Sequence, residues 1–389
     1  MSEQEDFILA CLNRSESIVD ICHRFGISEK TGHKRLKRLR EYGLAAATSD
    51  RSRARLTHPH RITDEVRSAV IALKRKYRHY GPKLIRDVLV RREPEQHWPA
   101  ASSIGELLKR ENLVKSRRRR HAAHIHSFLD SGRAAANEPN SVWTADFKGQ
   151  FRLAGNGKYC YPLTVMDLNT RYLLSCKALN STAVETAKRT FLHLFKEYGL
   201  PRVIRTDNGV PFCQPNAMGR LGSLGFWWVR LGIKPEHTKP ATPSENGAHE
   251  RMHKTLKQSA TKPASRSMES QQRRFDGFTN EYNNHRPHTS LPNHTAPGDV
   301  YSPSERDYPT KLPAIDYPAD WEVRLVSSSG HFKWKDQPLR LSRNLAGQYV
   351  GIHESESEVL TVSYGDLELG QIMLDPIRFT PHVKWTGRV

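Results

Sequence analysis

Two stretches of this chain are patterned so that acidic side chains meet in one place. In the first, from Pro201 to Gly209, the apolar pair Val203 and Ile204 predicts a short buried strand. Asn208-Gly209 predicts a turn directly after Asp207. A carboxylate is therefore expected where this strand ends.

The second stretch, from Thr242 to Lys257, predicts a helix whose N-cap is Ser244 or Asn246. Residues at i, i+4 and i+7 of a helix lie on one face. The charged residues with this spacing are Glu250, Lys254 and Lys257. One acid and two cations are thus expected to point the same way.

A third acid, Asp146, lies in the segment Ser141 to Phe151, which predicts another strand. The apolar and β-prone residues that support this strand are Val142, Trp143, Thr144, Phe147 and Phe151. Carboxylates suit a pair of Mg²⁺ ions, which take oxygen ligands and keep open positions for phosphate oxygens and water. The three acids together predict a magnesium site.

The segments around these acids resemble the three acidic signatures of DDE transposases in the retroviral-integrase superfamily. The matching segments are Thr144 to Phe147, Thr206 to Gly209, and the pattern P-x-x-P-x-x-N-G-x-x-E-R from Pro240 to Arg251. The nearest likeness is to bacterial insertion-sequence transposases. Tyr282-Asn283, Arg286-Pro287-His288 and Leu291 also resemble the segment that closes their catalytic core.

This resemblance implies a DNA transposase with a ribonuclease-H-like α/β catalytic core. In that family Asp146, Asp207 and Glu250 would hold two Mg²⁺ ions, with Mn²⁺ as a substitute, for end cleavage and strand transfer. Lys254 and Lys257 would hold the DNA backbone beside the metals. The implied partners are double-stranded DNA, as element ends and as target, and further copies of the chain, at least as a dimer on DNA.

The spacing of the third acid departs from the family pattern. Between Asp207 and Glu250 lie 42 residues, and between Asp207 and Glu245 lie 37, which fits the family's shorter interval better. We assign Glu250 because it has helical neighbours on its own face. The Gly-rich stretch Gln214 to Gly225 absorbs the excess, since a longer loop costs little free energy.

Other interpretations of the acids stay open at this point. An Asp at a turn is commonly a local cap and an exposed helical Glu is commonly solvated. The chain could also be a DNA-binding regulator with a decayed core, or a metal-dependent nuclease that hydrolyses without joining.

The charge of the chain favours a polyanionic partner. Its 61 Lys and Arg residues against 41 acids give a net charge of +20 and a pI near 9.8, which suits counterion release from nucleic acid. No run of 18 apolar residues and no signal peptide is found, so we expect a soluble protein of the bacterial cytoplasm, associated with the nucleoid and not with a membrane. Five scattered cysteines argue against disulfides or a structural zinc.

The N-terminal region predicts a helix-turn-helix. Residues 15–40 form two amphipathic segments separated by Gly26-Ile27, and Ser28 is the expected N-cap of the second. The residues of the second segment assigned to DNA are Lys30, His33, Lys34, Arg35, Lys37 and Arg38. An ordinary solvated basic helix pair is the alternative.

The remaining chain divides by pattern into four further parts. Residues 61–114 predict a second, trihelical DNA-binding unit, for which a packing role is the alternative, and residues 115–140 a basic linker. The linker residues assigned to DNA are Arg117, Arg118, Arg119 and Arg120. Residues 141–300 predict the catalytic core, which follows the helix-turn-helix domain of residues 1–50.

The C-terminal part, residues 301–389, alternates apolar and polar residues in five or six short segments. This pattern predicts a small SH3-like β-barrel. DNA contacts and a purely structural role are both compatible with it. The fold class predicted for the chain is thus multidomain α+β, with helical units, a mixed-sheet core and a terminal barrel.

Overall fold

The protein forms two compact units, residues 1–63 and 64–389. The computed structural model describes residues 3–49, 62–114, 135–155, 157–238, 247–356 and 358–387.

The described part of the first unit contains four helices, two more than the pattern predicts. They are α1 (Glu3–Leu12), α2 (Ile18–Arg24), α3 (Glu29–Tyr42) and α4 (Leu44–Thr48). Their common core consists of Phe7, Ile8, Ile21, Cys22 and Ala47. The Ser28 hydroxyl accepts a hydrogen bond from the Thr31 amide at 3.3 Å, which confirms the N-cap predicted for α3.

Helices α2 and α3 approach closely because of two glycines. Gly26 turns the chain with φ +60°, a conformation that costs glycine little. A Cβ at Gly32 would collide with Cys22 Sγ on α2. The predicted helix-turn-helix pair is therefore present, with α1 and α4 packed on it.

The second unit begins with three helices. They are α5 (Asp64–Lys76), α6 (Pro82–Arg92) and α7 (Ala101–Arg110). The buried faces follow the predicted apolar periodicity: Val66, Val70 and Leu73 on α5, Ile85, Val88 and Leu89 on α6, and Ile104, Leu107 and Leu108 on α7. Pro82 is the first residue of α6 and costs no hydrogen bond there, since the first amide of a helix has no partner within the helix.

Two polar contacts fix these three helices to the core that follows. The Tyr80 hydroxyl donates to the Glu281 carboxylate in a buried position. Arg91 donates from both terminal nitrogens to Asp299, with 2.7 Å between Nη2 and Oδ1. A bidentate guanidinium–carboxylate pair sets orientation as well as position.

A six-stranded mixed sheet forms the centre of the second unit. Its strands are β1 (Val142–Phe147), β2 (Phe151–Arg152), β3 (Tyr159–Asp167), β4 (Leu173–Leu179), β5 (Val203–Thr206) and β6 (Lys234–His237). The order is β2-β3-β1-β5-β6, and β4 also pairs with β3. Strand β1 lies antiparallel to β3 and parallel to β5.

Side-chain alternation gives this sheet two buried faces. Trp143 and Ala145 of β1 belong to one apolar core, which contains residues of α8 (Val184–Tyr198) and α9 (Ser223–Arg230). Met166 of β3 belongs to the other, which contains residues of α10 (Gly247–Ser259) and α11 (Met268–Asn280). Trp227 and Trp228 of α9 are buried in the first of these cores.

Side-chain amides satisfy the backbone of the edge strand β4. Asn283 accepts from the Leu173 amide at 2.8 Å and donates to the Leu173 carbonyl at 3.0 Å. Gln272 makes the same pair of contacts with the Ala178 amide and the Cys176 carbonyl. These bonds cover an edge that would otherwise expose unpaired backbone groups. Asn283 lies in the π-helical turn Glu281–His285 that continues α11.

The C-terminal region is β-rich. Its strands are β7 (Glu322–Leu325), β8 (His331–Trp334), β9 (Gln337–Arg340), β10 (Tyr349–Glu356), β11 (Val359–Tyr364), β12 (Leu367–Leu374) and β13 (Ile377–Trp385). They form a five-stranded antiparallel sheet, β13-β12-β11-β10-β7, and a two-stranded sheet of β8 and β9. The predicted β character is confirmed, but no closed barrel is seen among the described strands.

The Gly-rich stretch expected to be a tolerated insertion contributes to this C-terminal core. Leu221, Phe226 and Val229 belong to the same apolar cluster as Phe332 and Val362 of the sheets. Asn344 donates to the Leu221 carbonyl at 3.0 Å. Short 3₁₀ turns complete the fold at Met218–Arg220, Pro292–His294, Pro297–Asp299 and Arg343–Leu345.

Two further expectations concern cysteines and membranes. All five cysteines are free thiols in the structure. Within the described ranges no helix has the length and apolar character needed to cross a membrane.

Candidate active site

The register of the sheet brings the first two predicted acids together. Asp146 on β1 lies opposite Thr164 on β3, and Ala145 on β1 lies opposite Thr206 on β5. One residue further along the same parallel register, Asp207 comes beside Asp146. Two carboxylates thus meet at neighbouring strand ends.

Asp207 is held by the turn that the sequence predicts. Its Oδ1 accepts from the Gly209 amide at 3.1 Å, and the side chain of Asn208 donates to the Thr238 carbonyl at 2.7 Å. These local bonds fix the direction in which the strand ends, because an Asx-type contact restricts the backbone of the turn.

The pKa of Asp146 is shifted by burial and by the charges of both other predicted acids. Burial raises this pKa from 3.8 to about 7, with further increases from the charges of Asp207 and Glu250, while Lys148 lowers it. Like charges act this way only at short range. The first strand, the second strand end and helix α10 therefore converge at Asp146.

Helix α10 places two buried histidines behind Asp146. His249 Nε2 and His253 Nε2 lie 2.6 and 2.7 Å from the Thr164 hydroxyl, and His249 Nδ1 lies 2.9 Å from the Thr144 hydroxyl. His253 Nδ1 is 3.6 Å from Asp146 Oδ2. Thr164 also donates to the Asp146 carbonyl at 3.0 Å, so its hydroxyl is the centre of the network.

Both rings are neutral at pH 7, because burial lowers the pKa of His249 to about 3 and that of His253 to about 2. A neutral imidazole donates through one nitrogen and accepts through the other. One of the two threonine hydroxyls must therefore direct its hydrogen toward His249. The network holds the strand bearing Asp146 against α10 without adding charge.

Asp146, His249 and His253 also offer ligand atoms within 4.8 Å of one another. A metal on this trio is disfavoured, because both nitrogens of His249 already contact threonine hydroxyls. The carboxylates of Asp146, Asp207 and Glu250 are the donor set that suits a hard divalent ion. Such an ion would relieve the mutual repulsion that raises the pKa of Asp146.

Lys148 connects the acids to the basic face of α10. Burial has the largest effect on the pKa of Lys148 and lowers it. The charge of Lys257 lowers this pKa further, while the charge of Asp146 raises it. Lys257 therefore lies near Lys148, and Lys148 near Asp146. Lys254 is exposed one helical turn before Lys257.

The basic residues predicted on α3 separate into two sets. Lys30, His33, Lys34 and Lys37 are exposed at i, i+3, i+4 and i+7, which is one helix face. Arg35 and Arg38 are half-buried, and Arg38 donates to the Ser49 carbonyl at 3.5 Å. The exposed face is the part of α3 that a groove could receive.

Several predicted residues lie outside the described part of the chain. These are Arg117, Arg118, Arg119 and Arg120 of the basic linker, and Ser244, Glu245 and Asn246 before α10. Their assignments stay predictions.

Sequence reasoning missed Thr144, Thr164, Lys148, His249 and His253. One signal was available on α10, where the buried residues His249, Met252, His253 and Leu256 keep the spacing of an inward helix face. Histidines on such a stripe need polar partners, which here come from a distant part of the sheet. The acid Asp167, at the end of β3, accepts hydrogen bonds from the amides of Asn140 and Thr170.

Comparisons with family models agree with the division of the chain into a helical part and an integrase-like core. Two family models described as integrase core domain match residues 136–243 and 231–295, and a model described as homeodomain-like domain matches residues 31–108. Residues 136–295 therefore match an integrase core, and the chain fits the integrase/transposase superfamily. Its integrase-like core contains the mixed sheet and α10, and its homeodomain-like part extends from α3 to α7.

Retroviral polyproteins are among the curated relatives of this chain. The Pol polyprotein of feline endogenous virus ECE1 is 30% identical over 132 residues, which is 33% of this chain and 12% of that protein. The Gag-Pol polyprotein of baboon endogenous virus is 30% identical over 132 residues, covering 33% and 7%. The chain thus spans only a small part of these relatives' length.

Similar solved structures include two retroviral proteins. The HTLV-2 integrase catalytic core domain in complex with magnesium is 15% identical and covers 42% of this chain and 98% of that chain, with a TM-score of 0.33. A chain of the simian T-cell lymphotropic virus intasome in complex with PP2A regulatory subunit B56 gamma is 14% identical and covers 82% and 99%, with a TM-score of 0.37.

Proposed function

We propose that this protein is a DNA transposase that binds the ends of a mobile element and joins them to target DNA. The observation that carries the proposal is the convergence of Asp207 and Glu250 on Asp146 within an integrase core. The homeodomain-like part, with the exposed cationic face of α3, supports recognition of duplex DNA. Homo-oligomers, at least dimers on DNA, belong to the proposal because two ends must be held together.

In this proposal the three carboxylates supply oxygen ligands to two Mg²⁺ ions, for which Mn²⁺ would substitute. When bound, such ions activate an attacking hydroxyl or water and stabilise the leaving oxygen of an in-line phosphoryl transfer. Lys148 and Lys257 would hold a phosphate beside the acids, and Lys254 would extend this contact along α10. The His249–Thr164–His253 network would keep Asp146 in place.

The test measures cleavage and joining of DNA that flanks the gene, in the presence of Mg²⁺. We expect Asp146→Asn and Asp207→Asn each to abolish joining while leaving DNA binding within about two-fold, because the acids serve catalysis and α3 serves recognition. The control is Asp316→Asn, which changes an exposed acid outside the site. Full joining by either active-site variant would refute the assignment.

The reaction products also distinguish strand transfer from simple hydrolysis. A transposase yields joined DNA whose strands carry both element and target. A nuclease built on the same acids yields cleaved DNA alone. Cleavage without joined product, at matched DNA occupancy, would replace strand transfer by hydrolysis.

A further inference from the structure

A basic cavity lies beside α10, between α6 and the segment after α11. Its volume is about 360 Å³. The lining residues that matter are Lys83 of α6, Arg171 of the β3–β4 turn, Arg251 of α10, and Tyr282, Arg286 and His288 after α11. We name these residues the basic pocket. Lys83 and Arg251 are exposed, so the pocket opens to solvent.

The basic pocket has a strong excess of positive charge. Lys83, Arg171, Arg251 and Arg286 face one lining acid, Asp87, whose Oδ2 lies 3.7 Å from His294. Burial lowers the pKa of Arg171, and the charge of Arg251 lowers it further. Guanidinium groups that repel one another in this way are relieved by an anion between them.

The acids nearest to these cations are already engaged. The carboxylate of Asp167 accepts from the Thr170 hydroxyl at 2.6 Å, and that of Glu281 accepts from Tyr80. Neither of these carboxylates is among the residues that line the pocket. The four cations of the pocket thus outnumber its one lining acid, Asp87.

Three polar side-chain atoms of the basic pocket have no hydrogen-bond partner among the described residues. Nη1 of Arg171, Nη1 of Arg286 and Nε2 of His288 are buried without a hydrogen bond to any described residue. Each unpaired buried group costs about 1–3 kcal/mol, and more when the group is charged. Protein structures rarely keep several such groups together unless water, an ion or a ligand satisfies them.

The N-terminus of α6 adds to this field. Gly81 is its N-cap and makes no side-chain capping bond, and Gly81, Lys83 and Leu84 all line the pocket. The first-turn amides of an 11-residue helix carry partial positive charge and bind anions readily. Arginines, unpaired donors and a helix N-terminus thus converge on one cavity.

We propose that the basic pocket binds a backbone phosphate of the DNA on which the core acts. This proposal rests on the proposed function for the identity of its ligand. Arg251 follows Glu250 directly on α10, so one helix presents an acid to the active site and a cation to the pocket. A strand bound at the acids therefore reaches the pocket along α10, and its phosphate meets the arginine fork that suits it.

The test measures how the affinity for a short random-sequence duplex depends on salt, by fluorescence anisotropy. Arg286→Gln removes one charge, and we expect it to reduce the slope of log K against log salt by about one, since each phosphate contact contributes about 0.9. At low salt the affinity should fall about ten-fold. Arg189→Gln, on the exposed face of α8 and outside the pocket, is the matched control and should leave the slope unchanged.

A second variant and a small anion complete the test. Lys83→Gln changes an exposed side chain and keeps the fold, so it serves if Arg286→Gln unfolds; it should also reduce the slope by about one. Inorganic pyrophosphate should raise the Tm of the wild-type protein more than that of either variant. Wild-type slopes in both variants would overturn the proposal, and pyrophosphate binding with unchanged DNA slopes would make the pocket a site for free anions instead.

Failure of the proposed function gives a different result. If the wild-type protein joins no DNA but Arg286→Gln and Lys83→Gln still lower the slope, the pocket stands as a phosphate site and transposition falls. If Asp146→Asn loses joining while its salt slope stays at the wild-type value, both proposals are supported.

Discussion

At the scale of single residues, the carboxyl group of Asp146 is destabilised in its charged form. Its folded pKa of about 7 lies above the ordinary value of 3.8. Between these pH values the folded protein holds a proton that the unfolded chain releases. The stability from this group is therefore full below about pH 4 and is lost as the pH rises to 7.

We therefore predict that Asp146→Asn stabilises the metal-free protein at alkaline pH. One pKa unit corresponds to about 1.4 kcal/mol, so the gain at pH 8 is at most about 4 kcal/mol. It should shrink toward zero as the pH falls below about 4, where Asp146 becomes protonated in both states. Urea unfolding of both proteins in EDTA across this pH range measures the difference. A gain that does not change with pH would contradict the pKa shift.

A second residue-scale prediction concerns the hydroxyl at the centre of the histidine network. Thr164→Val leaves the Nε2 atoms of His249 and His253 buried without a partner. We expect the free energy of unfolding to fall by about 1–3 kcal/mol. Thr190→Val on α8 is the control, because the hydroxyl of this buried threonine donates to the Thr186 carbonyl of its own helix, and it should cost less. Equal losses in urea unfolding would show that the network adds nothing beyond one hydroxyl.

At the scale of elements, α10 is the element on which the site depends most. Its faces carry Glu250 with Lys257, the two buried histidines, and Arg251 at the basic pocket. A 13-residue helix holds these groups at fixed angles to one another. The assignment of Glu250, and not Glu245, as the third acid therefore depends on this helix, which carries Glu250.

We predict that Glu250→Gln abolishes Mg²⁺-dependent joining and that Glu245→Gln retains most of it. Two remaining acids cannot hold both ions in working geometry, and the loss should exceed about 100-fold in rate. The two variants are compared at matched DNA occupancy. An active Glu250 variant beside an inactive Glu245 variant would reverse the assignment.

At the scale of the whole molecule, the residues proposed for DNA recognition and those proposed for catalysis lie in different parts of the sequence. The exposed cations of α3 lie in the first compact unit, and the acids lie in the second. Changes on α3 should therefore alter DNA affinity without altering the chemistry of bound DNA.

We predict that Lys30→Gln combined with Lys34→Gln lowers the salt slope of DNA binding by about two, because two phosphate contacts are lost. The Tm should stay within about 1 °C, since both side chains are exposed. The control is Arg24→Gln, because Arg24 is exposed, lies on α2 and pairs with Glu16. Binding that keeps the wild-type slope would move recognition away from α3.

The sequence by itself determined the elements that carry the predicted acids. Val203 and Ile204 predicted β5, and Asn208-Gly209 predicted the turn that holds Asp207. The apolar periodicity of residues 64–110 predicted α5, α6 and α7. These features depend on local preferences and on the 2- and 3.6-residue periods of buried faces, which a single sequence displays.

Only the tertiary structure decided what surrounds those acids. The pKa of Asp146, the bonds from Thr164 to two histidines on α10, and the meeting of Arg171 with Arg286 depend on residues roughly 100 positions apart in the chain. Desolvation and pairwise charge effects exist only once such residues are packed together. Local pattern fixes which side chains a strand or helix presents, and the packing of the sheet against α6, α10 and α11 fixes the electrostatic environment that they share.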